Sequence, residues 1–449
     1  MRKVLLTFIS AFLFTASFAT NFKGVISQNT IWTKANSPYI IDGDVLVDKD
    51  VLLTIEPGVE MKITDGVTIY VDGSLIASGT ATDHIKFTTA SGNPHTAIWY
   101  GIKVRHDGGT GDFMLNYCDF AYVSRTIHLA NTSFGSITNC NMPSDDYSLI
   151  GKTDSMCLKN NVMGGVNMEI RSFGEIVNNS FSVKATMAMY IEGEGEIDIT
   201  GNKITNPSGI GASFAAYNAR FQHNVIIDCM YGLMCGAKQK YPISNNVMAY
   251  CQSGVEMNEG DFIFESNTVR YNKVGMHFRG AGQGIIRNNC IDSSEIFDVA
   301  SDATVDLDLS GNYFGSNDSA KIKAKISDRY SDFNKRVAVS VVPFLTQPDS
   351  GCKVVGKLEP TGLKDRLHLK STVEAYPNPV QSMLTLDVSE LQNVERICVY
   401  NMIGLLVKQI VKPATNNVQI DMSQIPAGLY IYKIYTADTK EMSGKVYKQ

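Results

Sequence analysis

The sequence predicts an all-β fold: a right-handed parallel β-helix solenoid followed by a small C-terminal Ig-like β-sandwich. Three observations carry that prediction. A short phrase (Asn, any residue, then an apolar residue) recurs about every 22 residues through the middle of the chain. The segments between its copies alternate apolar and polar positions at period two, the signature of strands. Beyond about residue 372 the phrase stops, and short strand-like runs with turn residues take over.

Composition sets the bounds. The chain has 449 residues, 44% hydrophobic and 19% charged, enough to build a large core. Net charge is −5 and no basic block occurs, so nucleic acid is not an expected partner; phosphate recognition needs clustered Lys and Arg.

Residues 1–19 read as a signal peptide. Arg2 and Lys3 supply the positive start, Val4 to Phe14 the apolar run, and Ala16-Ser17-Phe18-Ala19 a small-residue cut after Ala19. No Cys stands at the cut, so a lipid anchor is not indicated. No other stretch has the 18 or more apolar residues of a membrane span, and no transmembrane span is expected in the mature chain.

The repeat then runs from residue 118 to 314. Its Asn copies are Asn161, Asn179, Asn202, Asn224, Asn246, Asn267, Asn289 and Asn312, with Cys118 and Cys140 in the same slot upstream. The apolar markers from Phe120 to Phe314 are separated by 22, 21, 18, 23, 22, 22, 21, 22 and 23 residues. Helical repeats need longer periods and a 3.6 pattern, and leucine-rich repeats need a Leu phrase that is absent. One coil of short strands per period is what remains. Asn tolerates the left-handed bend between two strands, and its side chain can hydrogen-bond from coil to coil in a structural ladder. Residues from about 28 to 110 alternate similarly but less regularly, as an opening to the solenoid. About fourteen coils are expected.

Nine cysteines follow the signal, with no CxxC pair to suggest structural zinc. Cys229 and Cys251 fall in equivalent places of successive coils. A ladder of buried thiols is expected there rather than a disulfide, because coils about 4.8 Å apart hold Cβ atoms too far apart.

Two phrases extend the likeness beyond the period. Leu53-Thr-Ile-Glu-Pro-Gly-Val59, with Gly311-Asn-Tyr-Phe-Gly315 and Val341-Val-Pro-Phe-Leu345, resembles the opening and closing phrases of bacterial β-helix proteins of the pectate-lyase-like superfamily. That resemblance covers about residues 28–350. It implies the fold, while activity within the superfamily ranges from lyases and hydrolases to adhesins and rods.

A linker is expected over residues 351–372. Ala375-Tyr-Pro-Asn-Pro379, the Gly404 turn, Pro426-Ala-Gly-Leu-Tyr430 and the closing Lys445-Val-Tyr-Lys-Gln449 follow it. Residues 373–449 resemble the C-terminal sorting domain of the Bacteroidetes type IX secretion system. The resemblance implies export across both membranes by that machinery, removal of the domain, sometimes attachment to surface lipopolysaccharide, and a secreted or cell-surface location.

Chemistry is less marked. In register, Glu256 and His277 share one slot, and Asn258 and Arg279 share the slot two residues on. Alternation puts all four on one outward face. Glu256, His277 and Arg279 are the candidate catalytic residues and Asn258 the candidate substrate contact; an ordinary solvated face is the alternative. Glu192, Glu194, Glu196 and Asp198 form an acidic run that alternation places on one face. Ca²⁺ is the cofactor it would suit, and a solvated charge run is its plain reading. No HExxH or GxSxG phrase occurs. The expected function is a secreted or surface β-helix protein binding an extended glycan, a polysaccharide or surface glycan, along one sheet. A polysaccharide lyase or glycoside hydrolase is the alternative, and a non-catalytic structural or adhesive rod the second.

Overall fold

The structure, a computed structural model, describes residues 19–91, 99–105, 112–236, 239–258, 262–280 and 284–352, and most of 373–448. Residues 1–18 of the expected signal peptide, most of the expected linker and the Gly404 turn lie outside the described residues. The chain divides into two compact units, Met1–Val355 and Gly356–Gln449.

The first unit is a parallel β-solenoid of about 12 turns. The expectation of about fourteen was too high, because residues after 303 leave the regular coil. Each coil has three faces. Ser253–Met257, Val274–Gly280 and Phe297–Ala303 stack on the first. Ile263–Glu265 and Ile285–Arg287 stack on the second. Val247–Ala249, Thr268–Arg270 and Cys290–Asp292 stack on the third. Parallel pairing joins each strand to its equivalent one coil away, as in Val247↔Thr268↔Cys290. Alternation within each strand sends one residue in two to the axis. Phe221, Ile243, Phe264 and Ile286 are buried there, and Phe87 stacks on Phe120 at 4.4 Å. Each such side chain contributes about 1.5–3 kcal/mol by burial.

The Asn column stands at the corner between the second and third faces, buried to 2% exposure or less. Each Oδ1 accepts both the backbone N–H and the Nδ2 of the Asn one coil earlier. For Asn161 to Asn179 the distances are 3.0 and 2.9 Å, and the pattern continues unbroken to Asn312. Nδ2 also donates to a carbonyl about one coil of chain upstream, as Asn161 to Ile137 O at 2.8 Å. Cys140 N–H joins the ladder at Asn161 Oδ1, and Cys118 N–H at Cys140 Sγ.

The left-handed bend expected of each ladder Asn falls one residue earlier. Asn160, Asn178, Gly201, His223, Asn245, Ser266, Asn288 and Gly311 all have φ between 56° and 72°. The bend turns the chain, and the following Asn then points inward to bond along the axis. The corner between the third and first faces repeats the device. Asp228, Tyr250, Tyr271 and Ser293 take positive φ ahead of Cys229, Cys251, Asn272 and Ser294, and Cys251 N–H donates to Asn272 Oδ1 at 2.9 Å. Cys229 and Cys251 are buried free thiols, as expected.

The 18-residue period has a local cause. Between Asn161 and Asn179 the third face runs through Gly164–Gly165 directly into the first, without the usual corner. A Cβ at Gly164 would stand 2.6 Å from Asp146 O, so only glycine fits this short cut.

Both ends are finished differently. Thr20–Ile26 is the first rung, with a register shift between Phe22 and Gly24, and Trp32 stacks on Tyr39 at 4.9 Å beneath it. At the other end Ile326–Ser327 pairs with Val299–Ala300, and Leu307–Asp308 with Val339–Ser340. Buried Asp328 shapes the closing loop by accepting from Tyr330 N and Val339 N. Leu345 then bonds back to Asn312 O, and Cys352 forms a disulfide with Cys290. Along the outer third face Val162 is 52% exposed, whereas Val247, Thr268 and Cys290 near this return are buried.

The second unit has two antiparallel sheets. Glu374–Tyr376, Met383–Asp387 and Asn417–Asp421 make one; Val394–Asn401, Leu406–Val411, Gly428–Thr436 and Glu441–Lys448 make the other. Leu384, Leu386, Ile397, Val399, Ile434 and Val446 share one core, the arrangement of a small β-sandwich.

Candidate functional site

The outward positions of the first face form one registered column. It runs Tyr70, Lys103, His128, Ile150, Asn167, Tyr190, Ser213, Met234, Glu256, His277 and Ala300. The neighbours of Glu256 along its strand, Val255 and Met257, point to the core, as do Met276 and Phe278 beside His277. Pleating therefore leaves Glu256 and His277 on the outer side, one coil apart.

The structure brings Glu256, His277 and Arg279 together. Arg279 Nε donates to Glu256 Oε2 at 2.8 Å, and His277 Nδ1 lies 3.3 Å from Glu256 Oε1 and 3.2 Å from Arg279 Nη2. Two further residues complete the cluster. Asp302 Oδ2 stands 2.8 Å from His277 Nε2, and Lys335 pairs with Asp302 Oδ1. Asp302 registers opposite Arg279, so extending the stacking rule by one coil finds it in the sequence. Lys335 comes from the closing loop, and no periodicity points to it. Asn258 lies one residue past the end of its strand, its N–H on Cys235 O at 2.8 Å, and is not among the contacts that join the other residues.

Charge within the cluster is matched. Hydrogen bonding to Glu256 raises the His277 pKa above the ordinary imidazole range against the effect of burial, and Asp302 adds to it. Burial alone would raise Glu256, but hydrogen bonds from His277, Ser253 and Arg279 outweigh it and hold the carboxyl below its usual range. Lys335, then His277, lower Asp302. Glu256 is 2% exposed beneath its partners. The arrangement can fix protons and orient ions; the Glu256 carboxylate faces its partners' cations rather than open solvent, while Asp302 stays 48% exposed.

The acidic run does not share one face, contrary to the expectation from alternation. Gly193, at φ 122°, begins a corner, so Glu192 ends a first-face strand while Glu196 and Asp198 begin a second-face one. Arg220 bonds Asp198 at 3.1 Å and Lys240 bonds Glu196 at 2.9 Å; Tyr190 Oη donates to Glu192 at 3.0 Å. Alternation fails across a corner, which resets the inward and outward sides.

Residues 374–449 match the family model of the secretion system C-terminal sorting domain. The protein is exported by the type IX secretion system. This exported β-helix is thus a secreted or cell-surface protein. Its residues 217–335 match a second family model, periplasmic copper-binding protein (NosD). No curated protein matches the chain. Among the described residues no group of three or more His, Cys, Asp or Glu is arranged to hold a metal. Within the matched stretch the thiols are sealed: burial pushes Cys235 up to about 12, and burial with neighbouring Cys229 raises Cys251 well above the ordinary thiol range. His277 is engaged by two carboxylates and an arginine. Those thiols and His277 are therefore not free to ligate copper. No helix among the described residues is long and apolar enough to cross a membrane.

Proposed function

We propose that this exported solenoid is a non-catalytic surface binder that lays an extended glycan along the outer first face. The observation that carries the reading is the registered column itself. Tyr70, Lys103 and His128 on successive coils and, past Ile150, Asn167 and Tyr190 offer aromatic and polar groups along the column, so a linear polymer meets a new side chain about every 4.8 Å. Arg105 lies over the Tyr70 ring at 4.7 Å, leaving a flat cation–aromatic pair at one end. His128 has its pKa lowered by burial and then by Lys103 and Arg125, a locally positive setting that favours acidic sugars. Catalysis by Glu256, His277 and Arg279 is the weaker reading, since a buried, doubly bonded Glu256 offers no free base. The test is a polysaccharide array with the wild-type chain and the Tyr70→Ala/Tyr190→Ala variant. Retention of a linear glycan that the variant loses supports the reading. No retention by the wild type removes it. Release of unsaturated ends from a polyuronate, lost in Arg279→Ala, would establish the catalytic reading instead.

A further inference from the structure

The two nitrogens of His277 face unlike surroundings. Nε2 faces Asp302 Oδ2 at 2.8 Å. Nδ1 stands between an acceptor, Glu256 Oε1 at 3.3 Å, and a donor, Arg279 Nη2 at 3.2 Å. One ring nitrogen donates or accepts, never both. With a proton on each nitrogen, the ring donates to Glu256 and to Asp302, and it bridges three consecutive coils, those of Ser253–Met257, Val274–Gly280 and Phe297–Ala303. With the proton gone from Nδ1, that nitrogen accepts from Arg279 and the bond to Glu256 is lost. In that neutral form Nε2–H still donates to Asp302, but the bond is no longer charge-assisted and is weaker; Asp302 also holds Lys335 of the closing loop, so the charge on the ring bears on that anchor. The charged groups around the ring come from every element packed on it: Glu256 from the preceding coil, Arg279 from its own strand, Asp302 from the following coil and Lys335 from the loop.

We propose that His277 is a proton-controlled fastener of the solenoid's C-terminal end: protonated, it ties the last coils and the closing loop together, and neutral, it lets that end loosen. The loop beside it borders a cavity of ≈ 500 Å³ lined by apolar Ile326, Val339 and Val341 and by polar Lys323, Asp328 and Ser331. The direction follows from the ring's partners. Carboxylates on both sides raise the folded-state pKa above the unfolded one, so the stabilisation is complete below the ordinary imidazole range. It is lost as pH rises through the elevated folded-state value.

Hydrogen–deuterium exchange of the full mature chain, corrected for intrinsic rates, reads this out between pH 5.5 and 8.5. Peptides spanning 297–303 and 326–340 should lose protection by roughly threefold or more as pH rises, while peptides spanning 166–216 stay flat. His277→Gln, which keeps a donor and an acceptor but cannot titrate, should lose the response above about pH 7 and keep only the fall at lower pH that buried Asp298, raised to about 6, contributes. Lys335→Gln leaves the ring untouched and should confine the pH response to 297–303. A flat wild type, or a His277→Gln chain with the wild-type slope, overturns the proposal. So does a Lys335→Gln chain whose loop still responds.

Discussion

Asn246 Oδ1 accepts two hydrogen bonds from Asn224, its backbone N–H at 2.9 Å and its Nδ2 at 3.1 Å, across 22 residues of chain. One buried oxygen thus closes two donors of the neighbouring coil. Removing the Asn246 side chain leaves both without an acceptor, and leaves Phe221 O without the Nδ2 donor it now has. Asn246→Ala should destabilise the solenoid by about 3 kcal/mol, since each buried group left unsatisfied costs about 1–3 kcal/mol. Asn312→Ala, at the ladder's end, strands the same donors of Asn289 but sits beside the terminal turn, and should cost less. Denaturant unfolding of the two variants checks the order.

The bend residues make an independent prediction. His223 and Ser266 hold φ near 57° without a glycine or Asn to ease it. His223→Gly should be neutral or stabilising, by up to about 1 kcal/mol, because it removes the left-handed cost that a side chain bears. Asn245→Val should destabilise by about 1–2 kcal/mol, because a β-branched residue resists the same bend. Thermal midpoints of both variants would show the opposite signs.

The cysteines should respond unequally. Cys157 alone among the described free thiols is partly exposed, and the others are buried. Under native conditions a thiol reagent should label Cys157, and after unfolding without reductant it should label all seven described free thiols. Cys352→Ser opens a link spanning 62 residues, a loop whose closure is worth about 4 kcal/mol in the chain-entropy model. Mass spectrometry of labelled peptides, with and without reductant, reads both.

Asp298 gives a pH dependence of opposite origin to that of His277. Burial raises its carboxyl from 3.8 to about 6, although Ser294 N–H donates to Oδ1 at 2.9 Å. The folded chain therefore holds this proton more tightly than the unfolded chain. Stability falls as pH rises from about 4 to about 6, by up to about 3 kcal/mol, and is then level. Asp298→Asn, which retains an acceptor, should remove that fall and stabilise the protein at neutral pH. Urea midpoints at pH 4, 5, 6 and 7 decide it; a variant that tracks the wild type at every pH contradicts the assignment.

Much of this molecule is legible in its residues because a solenoid converts sequence period into spatial adjacency. The spacing of Asn161 through Asn312 placed them in one column, and the same arithmetic set Glu256 against His277. Signals written in local chemistry were also readable: the thiol pair Cys229 and Cys251, and the phrases of residues 374–449. Where the reading failed, the cause was a corner or an end. At Gly193 the chain turns between faces, so Glu192 and Glu196 part company. The bend belongs to the residue before each ladder Asn, because turning the chain and pointing a side chain inward are separate tasks.

The sequence by itself determined the architecture, the ladder and the export domain, since each is carried by residues at fixed spacing and a period needs no tertiary information to be counted. Tertiary structure alone decided that Cys290 meets Cys352, that Lys335 reaches Asp302, and that Glu256 lies sealed under Arg279. Those contacts join the regular coils to a closing segment that has no period. Its path depends on how apolar groups cover the last coil and how each charge finds a counter-ion, a balance of packing and electrostatics that no linear spacing encodes.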